Sequence, residues 1–318
     1  MRHAVIGGIG FVGANLVEVL RGQGDDVIVV SRRSSASKRS RLTSFIQSTG
    51  ASVVFMDNIT PEGLVKLGAD VYYHVAGKIT GNMSTMMSSH VGLLKVIVEA
   101  ASSVGSRVVY VSSAAVASEI RGLPRGSVVY EEERHLEKDV YVHKTPYEIS
   151  KAEGERLLVA SDEKLNGKWS IVRPSLVFGP WGDQPQWRLV YRAARLGLAL
   201  SFGSRNAIYS RDLALILAMA GRGSLDRRWV YANWPPDVDL SDIGMELCMK
   251  IKGKRCKSVS LRWALRMASA VPGSPFKMMY RMLKSNYKFR SRYLDEFRYT
   301  DLGEAVSRFL EWAKSYWG

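Results

Sequence analysis

Acidic residues are what this chain is short of. Across 318 residues, 30 Asp and Glu stand against 45 Lys and Arg, a formal net charge of +15. The shortage is uneven: from Met245 to Gly318 there are 16 Lys and Arg against 6 Asp and Glu, leaving 29 against 24 in residues 1 to 244. A field of that sign attracts a diphosphate-bearing substrate, an anionic membrane surface or nucleic acid, although a solvated basic surface gives the same count. Cysteine is scarcer still. Cys248 and Cys256 are separated by seven residues and have no neighbouring histidine, so neither a zinc site nor a disulfide scaffold is suggested. The five histidines, His74, His90 and His143 among them, fall into no metal-ligand spacing, and no metal is expected. Long apolar runs are missing too: none approaches the roughly 20 residues needed to span a bilayer. The first residues enter a strand-turn pattern without the layout of a signal peptide, so a cytoplasmic protein is expected. No internal repeat or long low-complexity tract is present, although Ser31–Arg41 is rich in Ser, Arg and Lys. What remains is an ordinary 46% hydrophobic content in a chain long enough to bury a large core, hence one or two folded domains.

The first 175 residues or so alternate short β-branched runs with longer helical patterns, as strand-helix units around a parallel sheet do. His3–Ile6, Val27–Ser31, Ser52–Phe55, Val71–His74, Arg107–Val111 and Trp169–Val172 read as strands. Phe11–Arg21, Lys38–Ser48, Thr85–Val104 and Pro146–Ala160 read as helices between them. The expected fold class is therefore α/β: a Rossmann-like, doubly wound parallel sheet with a smaller, mainly helical C-terminal substrate domain. Residues 1–173, with a returning strand near 206–235, form the dinucleotide domain; residues 174–205 and 236–318 form the substrate domain. Gly179-Pro180-Trp181-Gly182 marks a turn, Arg188–Leu196 a helix and Trp229–Ala232 the returning strand. Leu240–Lys250, Leu261–Ala270, Phe276–Leu283 and Asp301–Tyr316 read as helices, with Pro272-Gly273-Ser274-Pro275 breaking the middle pair.

Gly7, Gly10 and Gly13 follow the first strand and open the first helix, with Phe11 and Val12 between the last two. Glycine there permits a tight turn and lets backbone approach a pyrophosphate, which rests on the helix N-terminal amides. The end of the second strand tests which dinucleotide is held. A free 2′-hydroxyl is usually bound by a carboxylate, whereas a 2′-phosphate wants arginine and hydroxyl donors. Here the chain reads Ser31-Arg32-Arg33, without an acid, which favours NADP over NAD. Asp57-Asn58, after the third strand, is placed to meet the adenine edge.

Tyr147 and Lys151 are four residues apart and so share a helix face. A tyrosine hydroxyl with an ordinary pKa of about 10 is a poor proton shuttle at neutral pH unless a nearby ammonium stabilises the phenolate. Lys151 suits that role, and the same ammonium suits the nicotinamide ribose. Ser113, at the mouth of the fifth strand, can donate to a substrate oxygen while Tyr147 gives or takes the proton.

The glycine loop, Val71-Tyr72-Tyr73-His74-Val75-Ala76-Gly77, Tyr110-Val111-Ser112-Ser113, Tyr147 with Lys151, Arg173-Pro174-Ser175-Leu176-Val177-Phe178-Gly179-Pro180 and Tyr209-Ser210-Arg211-Asp212-Leu213-Ala214 occur in that order. Together they resemble the extended short-chain dehydrogenases/reductases, in the branch of nucleotide-sugar epimerases, dehydratases and reductases. The resemblance is strong over residues 1 to about 235 and weak in the basic tail. It implies catalytic roles for Ser113, Tyr147 and Lys151, and dinucleotide contacts from Val75, Ala76 and Gly77. Pro174 and Val177 then line the nicotinamide end, while Ser175, Arg188, Arg192, Arg211 and Ser113 meet the substrate. It also implies a homodimer through the Thr85–Val104 and Pro146–Ala160 helices. Departures narrow the chemistry. Ala114-Ala115 occupy the segment where dehydratases of the family carry an Asp-Glu pair and many sugar epimerases a threonine, His90 stands where Asn is common, and Ile6 where Thr often precedes the first glycine, changes that weaken a direct match to a galactose epimerase. The leading expectation is an NADP(H)-dependent oxidoreductase acting at a keto or hydroxyl carbon of a nucleotide sugar, its diphosphate met by Arg188, Arg192 or the basic tail. The alternatives are an NAD-dependent nucleotide-sugar 4-epimerase, a dehydrogenase of a steroid-like or lipid-linked substrate, and a non-enzymatic dinucleotide sensor. Nucleic acid is not an expected partner. The basic tail helices interleave charge with apolar residues, a pattern that serves either inward packing or peripheral contact with an anionic membrane.

Overall fold

The computed structural model describes residues 1–131, 140–201, 206–234, 238, 240–271, 280, 281 and 284–318. They form two compact units, each built from separated stretches of chain. The first comprises Met1–Val116, Pro146–Arg173 and Leu213–Val230. Runs of Val, Ile and Tyr form its strands, buried on both sides in the middle of the sheet and partly exposed at the Ser52–Phe55 edge. They are β1 (Arg2–Ile6), β2 (Asp26–Ser31), β3 (Ser52–Phe55), β4 (Val71–His74), β5 (Arg107–Val111), β7 (Trp169–Pro174) and β11 (Arg228–Ala232). The sheet has seven strands in the order β11-β7-β5-β4-β1-β2-β3, and the neighbours from β7 to β3 run parallel. Ile6 is in register with both Val30 and His74, so the strands on either side of β1 end level with it. The chain moves outward from β1 through β2 to β3 and then returns to β4, so the order reverses between β1 and β4. At such a switch point the carboxyl ends of the strands part and leave a crevice for a ligand.

The expected strands of this sheet stand within a residue or two of their predicted bounds. Two helices differ. The expected Lys38–Ser48 helix is two, Arg33–Lys38 and Ser40–Ser48, broken at Arg39 (φ −129°, ψ 46°). The expected Thr85–Val104 helix starts at Met83 and contains a π-helical stretch over Ser88–Gly92, which changes the inward face and buries His90.

The second unit comprises Ala117–Thr145, Pro174–Asp212 and Tyr231–Gly318. Three short parallel pairs lie in it: β6 (Val128–Val129) with β13 (Lys288–Phe289), β8 (Leu176–Phe178) with β10 (Ala207–Tyr209), and β9 (Leu198–Ser201) with β12 (Lys257–Ser260). Residues 117–145, assigned to the dinucleotide domain by the sequence division, group here because β6 pairs with β13 and the Tyr287 hydroxyl donates to the Leu123 carbonyl at 3.2 Å. Phe178 centres an aromatic core, with the rings of Trp234, Tyr209, Trp187 and Phe309 between 5.1 and 6.4 Å away. The helices Pro185–Arg195, Leu240–Lys252, Arg262–Ala270 and Leu302–Trp317 follow the sequence reading closely. The expected Phe276–Leu283 helix and the Pro272–Pro275 break lie outside the described residues, apart from Tyr280 and Arg281. One expectation is corrected. Cys248 and Cys256, read as unlinked, form a disulfide with Cα atoms 6.0 Å apart, because a turn at Gly253 (φ +68°) folds the chain back on the end of its helix. Among the described residues no helix is long and apolar enough to cross a membrane.

Candidate active site

The glycine loop begins where β1 ends. Gly7 (φ +92°) lies so close to the loop after β4 that a Cβ on it would come within 2.6 Å of the Ala76 backbone. A side chain there is therefore excluded both by conformation and by space. Gly10 caps the Phe11–Gly22 helix without any side-chain hydrogen bond, and no acid lies in the first turn. The leading amides of that helix are thus left for an anion. A Cβ on Gly10 would stand 3.1 Å from the Gly7 carbonyl, and one on Gly13 would stand 2.6 Å from the Gly8 Cα. Glycine at all three positions keeps this cradle shallow, and its residues fit a dinucleotide pyrophosphate. Val75, Ala76 and Gly77 border the same loop, with the Val75 amide donating to the Ile6 carbonyl at 3.1 Å.

The arginines beyond β2 divide their roles in a way spacing does not reveal. The Arg33 amide donates to Asp57 Oδ1 at 3.0 Å, and its guanidinium stands 3.7 Å from Asp57 Oδ2 and 5.7 Å from the centre of the Phe55 ring. Asp57 therefore caps the Arg33–Lys38 helix and already faces a cation. Ser31 is buried and Arg32 exposed. Arg39, which the sequence reading passed over, donates through Nη1 to the Ile9 carbonyl at 2.7 Å. Its guanidinium stands 3.8 Å from the Cβ position of Gly10, so one fixed positive charge borders the cradle itself. The helix break at Arg39 is the signal that the apolar pattern did not carry.

A second group forms where β5 meets the Pro146–Val159 helix. Pro146 opens that helix, where a missing amide hydrogen costs nothing. Tyr147, Lys151 and Glu155 follow at intervals of four and so form one stripe. Ser113 hydrogen-bonds the Tyr147 side chain, and its Oγ accepts from the Ala115 amide at 3.2 Å. Lys151 is 5% exposed; its Nζ donates to the Val111 carbonyl at 2.8 Å and lies 5.0 Å from the Tyr110 ring centre and 6.0 Å from that of Tyr147. Burial lowers its pKa to about 7, with Glu155 opposing the shift. Burial raises the pKa of Tyr147, and the Ser113 hydrogen bond acts the other way. Successive strand residues face opposite ways, so Ser112 points back and hydrogen-bonds Glu155, which is also paired with the fully buried Arg173.

His90 completes the surroundings. Its Nδ1 lies 2.8 Å from Ser150 Oγ, which also donates to the Tyr147 carbonyl at 3.0 Å, so the imidazole is linked through Ser150 to the first turn of the Pro146–Val159 helix. The imidazole meets the Tyr147 ring edge-on at 5.6 Å. Burial first, and then the nearby Lys151, hold its pKa at about 2, so it is neutral at any working pH. A Cβ on Gly77 would stand 2.9 Å from His90 Nε2 and 3.4 Å from Lys151 Nζ, which ties the second stretch of the resemblance to the same place. Ala114 and Ala115 are buried, so the segment after Ser113 offers no proton-handling side chain.

The candidate substrate contacts of the second unit are individually held. Ser175 donates from its amide to the Ala232 carbonyl at 3.1 Å, and Val177 accepts at its carbonyl from Trp187 Nε1 at 3.1 Å. Pro174 ends β7. Arg188 donates to Asp183 Oδ1 at 2.7 Å and, with Arg192 and Leu189, lines a cavity of about 570 Å³. Arg211 is half-buried beside Asp212. Sequence reasoning missed Asp212, whose carboxylate accepts from Trp234 Nε1 at 2.9 Å and the Thr300 amide at 3.1 Å. Burial raises its pKa against those hydrogen bonds. Its neighbours mark it as a clasp on the carboxy-terminal segment. Among the described residues no group of His, Cys, Asp and Glu is arranged to hold a metal.

Comparison with known proteins finds relatives in sequence and in fold. A curated UDP-glucose 4-epimerase of Vibrio cholerae is 28% identical over 203 residues, spanning 62% of this chain and 58% of that protein. The UDP-glucuronic acid 4-epimerase of Bacillus cereus, solved with NAD, shares the fold with a TM-score of 0.72 at 15% identity over 100% of both chains. The UDP-glucose 4-epimerase of Thermotoga maritima, solved with UDP-glucose, gives 0.70 at 15% identity, again over 100% of both. The family model described as NAD dependent epimerase/dehydratase matches residues 4–232, and the chain belongs to that family of NAD-dependent enzymes.

Proposed function

We propose that this chain interconverts a hydroxyl and a ketone at C4 of a UDP-sugar, with 4-epimerisation as the net reaction. The observation that carries the reading is the convergence of Ser113, Tyr147 and Lys151 on one corner of the first unit. A dinucleotide held on the glycine cradle supplies reversible hydride acceptance. The protein's own part is proton handling and orientation. The Tyr147 hydroxyl, once ionised, takes the proton of the sugar hydroxyl as that carbon is oxidised, and returns it to the same oxygen when the ketone is reduced. Ser113 donates to that oxygen and holds it beside Tyr147. Lys151 supplies the positive charge that favours ionised Tyr147. Water elimination lacks an acid-base pair, because Ala114 and Ala115 fill the segment next to Ser113. The relative from Vibrio cholerae, itself a UDP-glucose 4-epimerase, supports the same choice.

One observation favours a second reading, an NADP(H)-dependent reductase of a nucleotide-linked ketone. Arg32 and Arg39 offer guanidinium groups suited to a 2′-phosphate, while Asp57 offers the carboxylate that suits a free ribose hydroxyl. Purified protein incubated with UDP-glucose and with UDP-glucuronic acid separates the two. Formation of the C4 epimer, with no change in reduced cofactor, is expected. Consumption of NADPH in step with product overturns the epimerase reading, and absence of any sugar conversion overturns both.

A further inference from the structure

Residues 247 to 294 contain 13 Lys and Arg and no Asp or Glu. That single stretch of the second unit supplies nearly all of the chain's net charge of +15. Some of these cations serve the interior: Arg281 is buried and donates to the Val142 carbonyl at 2.6 Å. Six others do not. Lys252, Lys254, Arg255, Lys257, Arg262 and Arg266 are exposed, and none has an acidic partner among the described residues. They follow one another through the end of the Leu240–Lys252 helix, β12 and the Arg262–Ala270 helix.

The last of these elements has an unusual outer face. Leu265 is its buried anchor, and Leu261, just before it, donates its amide to the Ser201 carbonyl at 2.8 Å. At about 100° per residue, Arg262, Arg266, Ala270, Trp263 and Met267 fall within an arc of roughly 140°, with the arginines along one edge and the apolar side chains along the other. Trp263 is 71% exposed and Met267 67%, and Val271, just past the helix, is 59% exposed. A helix that only packs inward hides its large apolar residues. This one hides Leu265 and offers Trp263 and Met267 to solvent beside two arginines.

We propose that the outer face of the Arg262–Ala270 helix, flanked by the cations of Lys252–Lys257, docks peripherally on an anionic lipid bilayer. The exposed Lys and Arg match a negative headgroup layer, each adding attraction that salt screens. Trp263 and Met267 enter the boundary between headgroups and acyl chains, where a tryptophan ring is favoured and an amphipathic helix lies flat. Phosphate attraction alone would account for the cations but not for the exposed tryptophan and methionine, and this separates a bilayer from a nucleic acid as the partner. No spanning segment is involved, in keeping with the absence of a helix long and apolar enough to cross a membrane among the described residues.

Flotation of the full chain with vesicles tests this directly. Vesicles of phosphatidylcholine with phosphatidylglycerol are expected to carry the protein at low salt, and to lose most of it at high salt; vesicles of phosphatidylcholine alone are expected to carry little. Trp263→Ser with Met267→Ser is expected to weaken binding to the anionic vesicles by about tenfold or more. Arg262→Gln with Arg266→Gln is expected to weaken it by a similar factor and to flatten the salt dependence. All four side chains are exposed, so unchanged thermal unfolding checks that each double variant is folded. Absence of binding to anionic vesicles at low salt overturns the proposal. So does binding that ignores the Trp263 and Met267 substitutions, or a preference for duplex DNA of arbitrary sequence over the anionic vesicles.

Discussion

Tyr147 and Lys151 are legible in the sequence because four-residue spacing is a property of the helix itself. Their proton affinities are not, because those depend on how deeply each is buried. On the proposed mechanism Tyr147→Phe removes the group that exchanges a proton with the sugar oxygen, and turnover is expected to fall by about 10²- to 10⁴-fold with dinucleotide binding retained. Steady-state kinetics beside a binding titration check this. Lys151 sets a pH limit. With a folded pKa of about 7, its ammonium is lost as pH rises past neutrality, so kcat/KM is expected to decline on that side. The same shift acts on stability. The folded value lies below the ordinary 10.5, so between about 7 and 10.5 the unfolded chain holds the extra proton and this group's contribution to stability rises with pH. Lys151→Met is expected to lose that slope, as urea unfolding across the same window reports. Arg39 was the hidden member of the site, and His90 was marked in the sequence only as a departure from the family's Asn. Arg39 sits in what the apolar pattern reads as one helix, and His90 faces inward because of a π-helical stretch that leaves no mark in composition.

At the scale of elements, strand-loop-helix order at the amino terminus was readable because glycine, β-branched runs and helix formers each act locally. The three short strand pairs of the second unit were not, since strands of two to four residues carry too little pattern and depend on distant partners. The disulfide was hidden for the same reason: a turn at Gly253, not the seven-residue interval, brings Cys256 back to Cys248. Two elements can be tested separately. Gly10→Ala adds a methyl 3.1 Å from the Gly7 carbonyl at the mouth of the cradle, so the protein is expected to fold with a slightly lowered melting temperature but to lose the dinucleotide, as calorimetric titration would register. Glu155→Gln leaves the Arg173 guanidinium buried without its counter-charge between the Pro146–Val159 helix and β7. A loss of about 3–5 kcal/mol in unfolding free energy is expected, measured by denaturant titration.

For the whole molecule, charge and length bounded the problem but could not say where a domain begins. The sequence division assigns two stretches to each domain, whereas each compact unit takes its residues from three. Tertiary pairing decides that, and pairing between stretches a hundred residues apart leaves no local trace. The arrangement also makes the sheet slow to close as the chain is made. β5 ends at Val111, its neighbour β7 begins at Trp169, and β11, which covers the far edge of β7, begins only at Arg228. A nascent chain therefore carries an open strand edge through two long intervals of synthesis, and open edges recruit strands from other chains. A chain stopped after Arg173 lacks β11 and is expected to aggregate where the full chain remains monodisperse, a difference that light scattering during refolding would show. In this molecule the few residues that form β11 take over the edge position that β7 holds until they are made.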